Sequence, residues 1–216
     1  MKTAVIIPVY NHEQRIEGVI RDALKLGLPV IVVDDGSTDS TPAILNRIPD
    51  ITVLRHPENQ GKGAALLTGF AAAVQLGCDQ ALTIDGDGQH RPEDAGSLLQ
   101  AVADGSRVIV VGRREGMVGK NVPWTSRFGR GFSNFWVWAA GGPLISDSQS
   151  GFRLYPLPES LHLDVEARRY QFEVEILVRA RRRGIETIEA PIQVVYQARG
   201  ERVSHFHPWL DFRRNS

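Results

Sequence analysis

The chain has 216 residues, of which 42% are hydrophobic and 23% charged, with 25 Lys plus Arg set against 25 Asp plus Glu. Such a chain buries a sizeable single-domain core, which excludes a disordered or fibrous protein, and its zero net charge gives no global field to hold nucleic acid. The single cysteine, Cys78, excludes an internal disulfide and a cysteine-built zinc site.

Taken in chain order, the first half alternates apolar runs with helical patterns. Thr3–Val9 reads as a strand buried on both faces. Residues 12–26 place Ile16, Val19, Ile20, Ala23 and Leu24 at helical spacing, with Asn11 as a plausible N-cap. Pro29–Val33 is a second strand, and Ser40-Thr41-Pro42 opens a short helix. Ile51–Leu54, Gln80–Ile84 and Val108–Val111 are further strands; Lys62–Leu76 and Pro92–Ala103 are helices. Trp124–Ala140 reads as a helix, Gln149–Leu154 as a strand, Tyr170–Arg183 as an amphipathic helix and Ile185–Val195 as a strand, before a polar tail. The pattern predicts an α/β fold with a mostly parallel sheet. One domain is expected over residues 1–216, residues 1–112 forming a ligand-binding half and residues 113–216 a half that covers the pocket. Ligands in such sheets bind beyond the carboxyl ends of the strands, where Tyr10-Asn11, Asp34-Asp35, His56–Gly61, Asp85–His90 and Gly112–Arg114 fall.

Asp85-Gly86-Asp87 follows a strand, and extended backbone would send both carboxylates to one face. Two hard oxygen donors suit Mg2+ or Mn2+ completed by substrate phosphates, and Gln89 or His90 is positioned to add a ligand. The run Asp85-Gly86-Asp87-Gly88 also suits a plain turn. At Asp34-Asp35-Gly36-Ser37 a carboxylate can accept from a base or ribose, or the segment is an everyday turn. Asn59-Gln60-Gly61-Lys62-Gly63 brings glycines, a lysine and helix N–H groups suited to an anion.

Together, Pro8-Val9-Tyr10-Asn11, Val33–Asp39, Asn59-x-Gly61-Lys62-Gly63, Asp85–His90 and Ser150-Gly151-Phe152-Arg153 occur in the order of the family 2 glycosyltransferases. The chain resembles most the branch of dolichyl-phosphate mannose and polyprenyl-phosphate sugar synthases, over residues 3 to about 195. The resemblance implies a GT-A fold and inverting transfer from a UDP- or GDP-sugar to a lipid phosphate, or to a hydroxyl of a glycan or glycolipid. By the same resemblance Pro8, Tyr10, Asn11, Asp34, Asp35, Lys62, Asp85 and Gly86 would lie on the nucleotide-sugar side. Asp85, Asp87 and Gln89 would surround the metal. Arg113, Arg127, Arg130 and Ser133 resemble a clamp for an acceptor phosphate, with Arg114 in the same basic cluster. The chain departs from the family at His12, where an acid is usual, and the membrane-spanning tail of many relatives is not expected in it.

A hydroxyl acceptor requires a carboxylate base, for which Asp147 or Glu173 is the candidate; each is equally suited to pairing with an arginine. Arg153 is a candidate catalytic residue by its place in the Ser-Gly-Phe-Arg motif. Glu173 and Glu175 diverge on a helix, so only one can face the pocket. The tail around His205, His207 and Trp209 reads as a flap or an aromatic contact with lipid, and His56 and His162 as surface or turn residues. No apolar stretch nears the roughly 18–20 residues that cross a bilayer, and the N-terminal apolar run is too short for a signal peptide. The expectation is a cytoplasmic protein, with contact at the membrane's inner face possible. A sugar-phosphate nucleotidyltransferase is the rival reading, disfavoured because Tyr10-Asn11-His12 stands where such enzymes carry a glycine-rich, arginine-containing loop.

Overall fold

The computed structural model describes residues 1–115, 134, 137–169 and 171–193. Seven strands form one sheet: β1 (Thr3–Val9), β2 (Val30–Asp34), β3 (Ile51–Arg55), β4 (Gln80–Thr83), β5 (Ile109–Arg114), β6 (Arg153–Pro156) and β7 (Thr187–Ile192). Their spatial order is β3-β2-β1-β4-β6-β5-β7. Pairings β1–β2, β1–β4, β2–β3 and β5–β7 are parallel; β6, from the second half of the chain, enters antiparallel between β4 and β5. The sheet is therefore mostly parallel, as the sequence pattern predicts. It has the GT-A arrangement.

Every residue of β1 and β2 is buried, which is why both read as unbroken apolar runs. One face packs against α1 (Ile16–Leu24) and α4 (Ala95–Gln100), the other against α3 (Lys62–Gln75) and α5 (Phe172–Arg182). A short helix, α2 (Thr41–Leu45), follows β2. Helix α3 lies close on the sheet because Gly69 faces Ile6: a Cβ there would meet Ile6 Cγ2 at 2.5 Å. Phe70 beside it is wholly buried against Tyr155, ring centroids 5.0 Å apart, and full burial of such a side chain stabilises by roughly 1.5–3 kcal/mol.

Four local expectations change. Asn11 does not cap α1, whose N-cap is Arg15; its side chain serves the next loop instead. The helix expected over 92–103 is a 3-10 turn, Pro92–Asp94, followed by the shorter α4. The strand expected at Gln149–Leu154 begins at Arg153, because residues 147–151 are held in a loop by buried polar contacts. Asp85 and Asp87 sit on a turn after β4 rather than on extended backbone, with Gly88 at φ +72. Most of the expected helix 124–140 lies outside the described residues, though Asn134 and residues 137–139 are helical.

Candidate active site

Two loops at the strand ends are zipped together. Asn11 adopts a left-handed φ of 54°, a region asparagine tolerates, and its Oδ1 accepts from Thr38 N at 2.8 Å while its own N donates to Ser37 Oγ at 3.0 Å. Glu13 N donates to Asp39 Oδ2 (3.1 Å), and Ser40 N returns a bond to Glu13 Oε2 (2.9 Å). These bonds join the loops after β1 and β2. Pro8 is buried on β1 and Tyr10 is half-buried just beyond it. Asp34 is wholly buried; its Oδ1 accepts from Ser37 N at 2.9 Å, and Arg55 Nε lies 3.2 Å from Oδ2.

Asp35 is a hub. Buried to 3% exposure, it accepts from Gln60 N (2.9 Å) and Gly61 N (2.7 Å), and His56 Nδ1 lies 2.7 Å away. The second ring nitrogen of His56 lies 2.9 Å from Thr68 Oγ1 on α3. This corrects the surface reading of His56, which is buried and ties β3, Asp35 and α3 together. Its place level with the acids at a strand end was the only signal available in the sequence. Gly36 is required beside this hub: it has φ +75, and a Cβ would stand 2.5 Å from Glu58 C.

The start of α3 is not open to an anion. Gly63 N and Ala64 N both donate to Arg168 O, at 2.7 and 3.2 Å, so these amides, suited by sequence to an anion, are capped by the segment before α5. Gly61, at φ +100, admits that segment; any side chain there would strike Arg168 O.

What α3 does present is Lys62. Its Nζ lies 2.6 Å from Asp85 Oδ1 and 2.5 Å from Glu173 Oε1. Burial disfavours charge on Lys62, but Asp85 and then Glu173 outweigh it and hold its pKa above the ordinary lysine value. Burial likewise works against the Asp85 charge, yet Lys62 and His90 keep that carboxyl well below the usual range. His90 Nε2 lies 3.6 Å from Asp85 Oδ2, and its ring stacks on Phe152 at 5.4 Å.

Arg153 lies beneath this cluster, wholly buried. Its guanidinium donates to Ser150 O (2.7 Å), Ser148 O (2.7 Å) and Glu173 O (2.9 Å). Thr83 Oγ1 donates to Gly151 O at 2.7 Å, and a Cβ on Gly151 would run into the Asp85 carboxylate. The contacts close a ring: Asp85, Lys62, Glu173, Arg153, the 150–151 loop, and back to Asp85. Three motifs separated in the chain meet in it.

Asp87 Oδ1 accepts from Gln89 N at 2.9 Å across the turn, and both residues are partly exposed at the crevice. Gly86 packs under them, where a Cβ would approach Pro8 O to 3.3 Å. Two carboxylates on one turn are donors a hard cation accepts. Among the described residues no group of three His, Cys, Asp or Glu side chains could hold a metal unaided. An ion here would draw its other ligands from substrate phosphate and water, as magnesium commonly does.

The two candidate bases are both engaged. Asp147 is wholly buried and takes Arg114 in a two-pronged bridge. Glu173 holds Lys62, while Glu175 faces away, pairing with Arg179 and accepting from Ala167 N. Arg113 is exposed at the end of β5, 3.2 Å from Glu115. Arg127, Arg130 and Ser133, and the tail with His205 and His207, lie outside the described residues. His162 sits exposed in a 3-10 turn, Glu159–His162.

A family model described as Glycosyl transferase family 2 matches residues 4–157. The chain is 32% identical to the UDP-N-acetylglucosamine–dolichyl-phosphate N-acetylglucosaminyltransferase of Methanococcus voltae, across 92% of this chain and 89% of that protein. It is likewise 32% identical to the undecaprenyl-phosphate mannosyltransferase of Micrococcus luteus, across 93% of this chain and 86% of that one. Among solved structures, mannosyl-3-phosphoglycerate synthase from Rubrobacter xylanophilus superposes with a TM-score of 0.64 at 17% identity, covering 99% of this chain and 70% of that one; the likeness is one of fold.

Proposed function

From a chain that belongs to glycosyl transferase family 2, and so is a glycosyltransferase, we infer transfer with inversion from a UDP- or GDP-sugar to the phosphate of a polyprenyl or dolichyl lipid. The observation that carries the acceptor is the engagement of Asp147 by Arg114 and of Glu173 by Lys62. A hydroxyl must lose its proton to a free base as it attacks. A lipid phosphate is already ionised at neutral pH and asks for orientation and charge compensation instead. Relatives named for dolichyl and undecaprenyl phosphates support the same choice.

On this reading the zipped loops with Pro8, Tyr10 and Asn11 receive the base, and the turn carrying Asp85, Gly86 and Asp87 receives the diphosphate. Asp34 and Asp35 shape the nucleotide side from below, through the loops they bind. Bound Mg2+ or Mn2+, held by Asp85, Asp87 and Gln89, would neutralise charge on the departing nucleoside diphosphate. Lys62 keeps Asp85 ionised and aimed at that turn. Arg113, with Arg127, Arg130 and Ser133, would compensate the acceptor phosphate, a task that suits guanidinium geometry. Among the described residues no helix is long and apolar enough to cross a membrane; the proposed setting is the cytoplasmic membrane face, reached peripherally. The test is to supply the protein with UDP- and GDP-sugars, manganese and undecaprenyl phosphate. Formation of a lipid-phosphate sugar supports the reading; transfer only to hydroxyl acceptors rejects it.

A further inference from the structure

Glu173 is held in this ring at two separate points. Its carboxylate takes Lys62 at 2.5 Å, and its main-chain carbonyl takes Arg153 at 2.9 Å. The residue is 9% exposed and stands in the first turn of α5. Lys62 comes from the start of α3, 111 residues away in the chain, and its ammonium is shared between Glu173 and Asp85. Without Glu173 a long, flexible lysine would have one carboxylate to bind and several rotamers in which to bind it. With Glu173 in place, the ammonium has one position satisfying both acids, and that position fixes Oδ1 of Asp85. Gly151, which leaves no room for a side chain, closes the opposite side of the same carboxylate.

We propose that Glu173 is a positioning residue that acts through Lys62 to set Asp85, and that it takes no proton from the acceptor. The inference deepens the transferase reading and rests on it for the donor turn. It does not rest on the acceptor being a phosphate, because its effect is exerted on the donor side. Arg153 serves the same end from below: it binds Glu173 O together with the carbonyls of Ser148 and Ser150, so the first turn of α5 and the 148–151 loop keep one spacing.

The test is a double-mutant cycle on kcat/KM for the nucleotide sugar, using Lys62→Met, Glu173→Gln and the pair. Gln keeps the shape of Glu173 and a carbonyl able to accept from Lys62, so the variant remains informative where Glu173→Ala fails to fold. A positioning role predicts a loss of about tenfold for Glu173→Gln, which corresponds to one charge-assisted bond. It further predicts a double variant no worse than Lys62→Met alone, and a pH profile of kcat with the wild-type limbs. A base predicts a loss of order a thousandfold in kcat, multiplying with the Lys62 loss, and disappearance of the acidic limb. Either of the latter two results overturns the inference. Transfer to a hydroxyl acceptor would overturn the acceptor reading alone, since the cycle is read on the donor with whichever acceptor turns over.

Discussion

Arg114 grips Asp147 with both prongs of its guanidinium, Nε to Oδ2 and Nη2 to Oδ1, each at 2.7 Å. Asp147 is wholly buried, whereas the Arg114 side chain is 17% exposed. The pair fastens the end of β5 to the loop that precedes β6, and Glu189 on β7 reinforces it by accepting from Ser146 N and Asp147 N. Arg114→Ala would leave a buried carboxylate without its partner, at a cost of about 3 kcal/mol or more. Urea unfolding should show it as a lowered midpoint. Arg114→Lys should recover only part, since a lysine cannot make the two-pronged contact.

Asp87→Ala should abolish transfer and leave the unfolding midpoint within about 0.5 kcal/mol of wild type, because a partly exposed turn carboxylate contributes little to the core. Chelator treatment should reproduce the loss and added manganese restore it. Full activity of the variant, or of chelated enzyme, would show that transfer needs no metal at this turn.

Gly151→Ala should be far more damaging than its one methyl suggests. The new Cβ would occupy the place of the Asp85 carboxylate, so either Asp85 leaves Lys62 or the loop shifts, at a cost of about 1–3 kcal/mol. Calorimetric melting reads the stability, and donor kcat/KM reads the displaced turn.

The Lys62–Asp85 pair has a defined pH window. The Asp85 pKa is depressed in the fold, so its contribution is complete above the unfolded carboxyl value of about 3.9 and fades as pH falls towards the folded value. The Lys62 pKa is raised, so its contribution is complete below the unfolded lysine value of about 10.4 and fades as pH rises towards the folded value. The stability difference between wild type and Lys62→Met should therefore be largest between those limits and shrink at both extremes. A difference that keeps its full size at both extremes would contradict the pairing.

Much of this site is legible in the sequence, for a physical reason. Parallel strands buried on both faces must be apolar runs, and polar side chains at their carboxyl ends then mark the crevice. Asp34-Asp35, Asn59–Lys62 and Asp85–Asp87 announce themselves in this way. Their pairings do not. His56 with Asp35, Arg168 O with Gly63 N, and Lys62 with Glu173 join segments 21 to 111 residues apart, and no local periodicity encodes such partners. The amides of α3 illustrate the limit: glycines and a helix start describe an anion site equally well whether or not another segment's carbonyl fills it. Asn11 shows the same ambiguity, since an asparagine between a strand and a helix suits either an N-cap or a bridge to a neighbouring loop.

The acceptor proposed for this glycosyltransferase is a lipid phosphate. This assignment is tested most directly by mass spectrometry of the lipid fraction after incubation with a nucleotide sugar, manganese and undecaprenyl phosphate. Transfer to the lipid phosphate gives a new species one glycosyl unit heavier, formed in step with release of the nucleoside diphosphate. Sugar appearing only on hydroxyl acceptors, with the lipid phosphate unchanged, would contradict it.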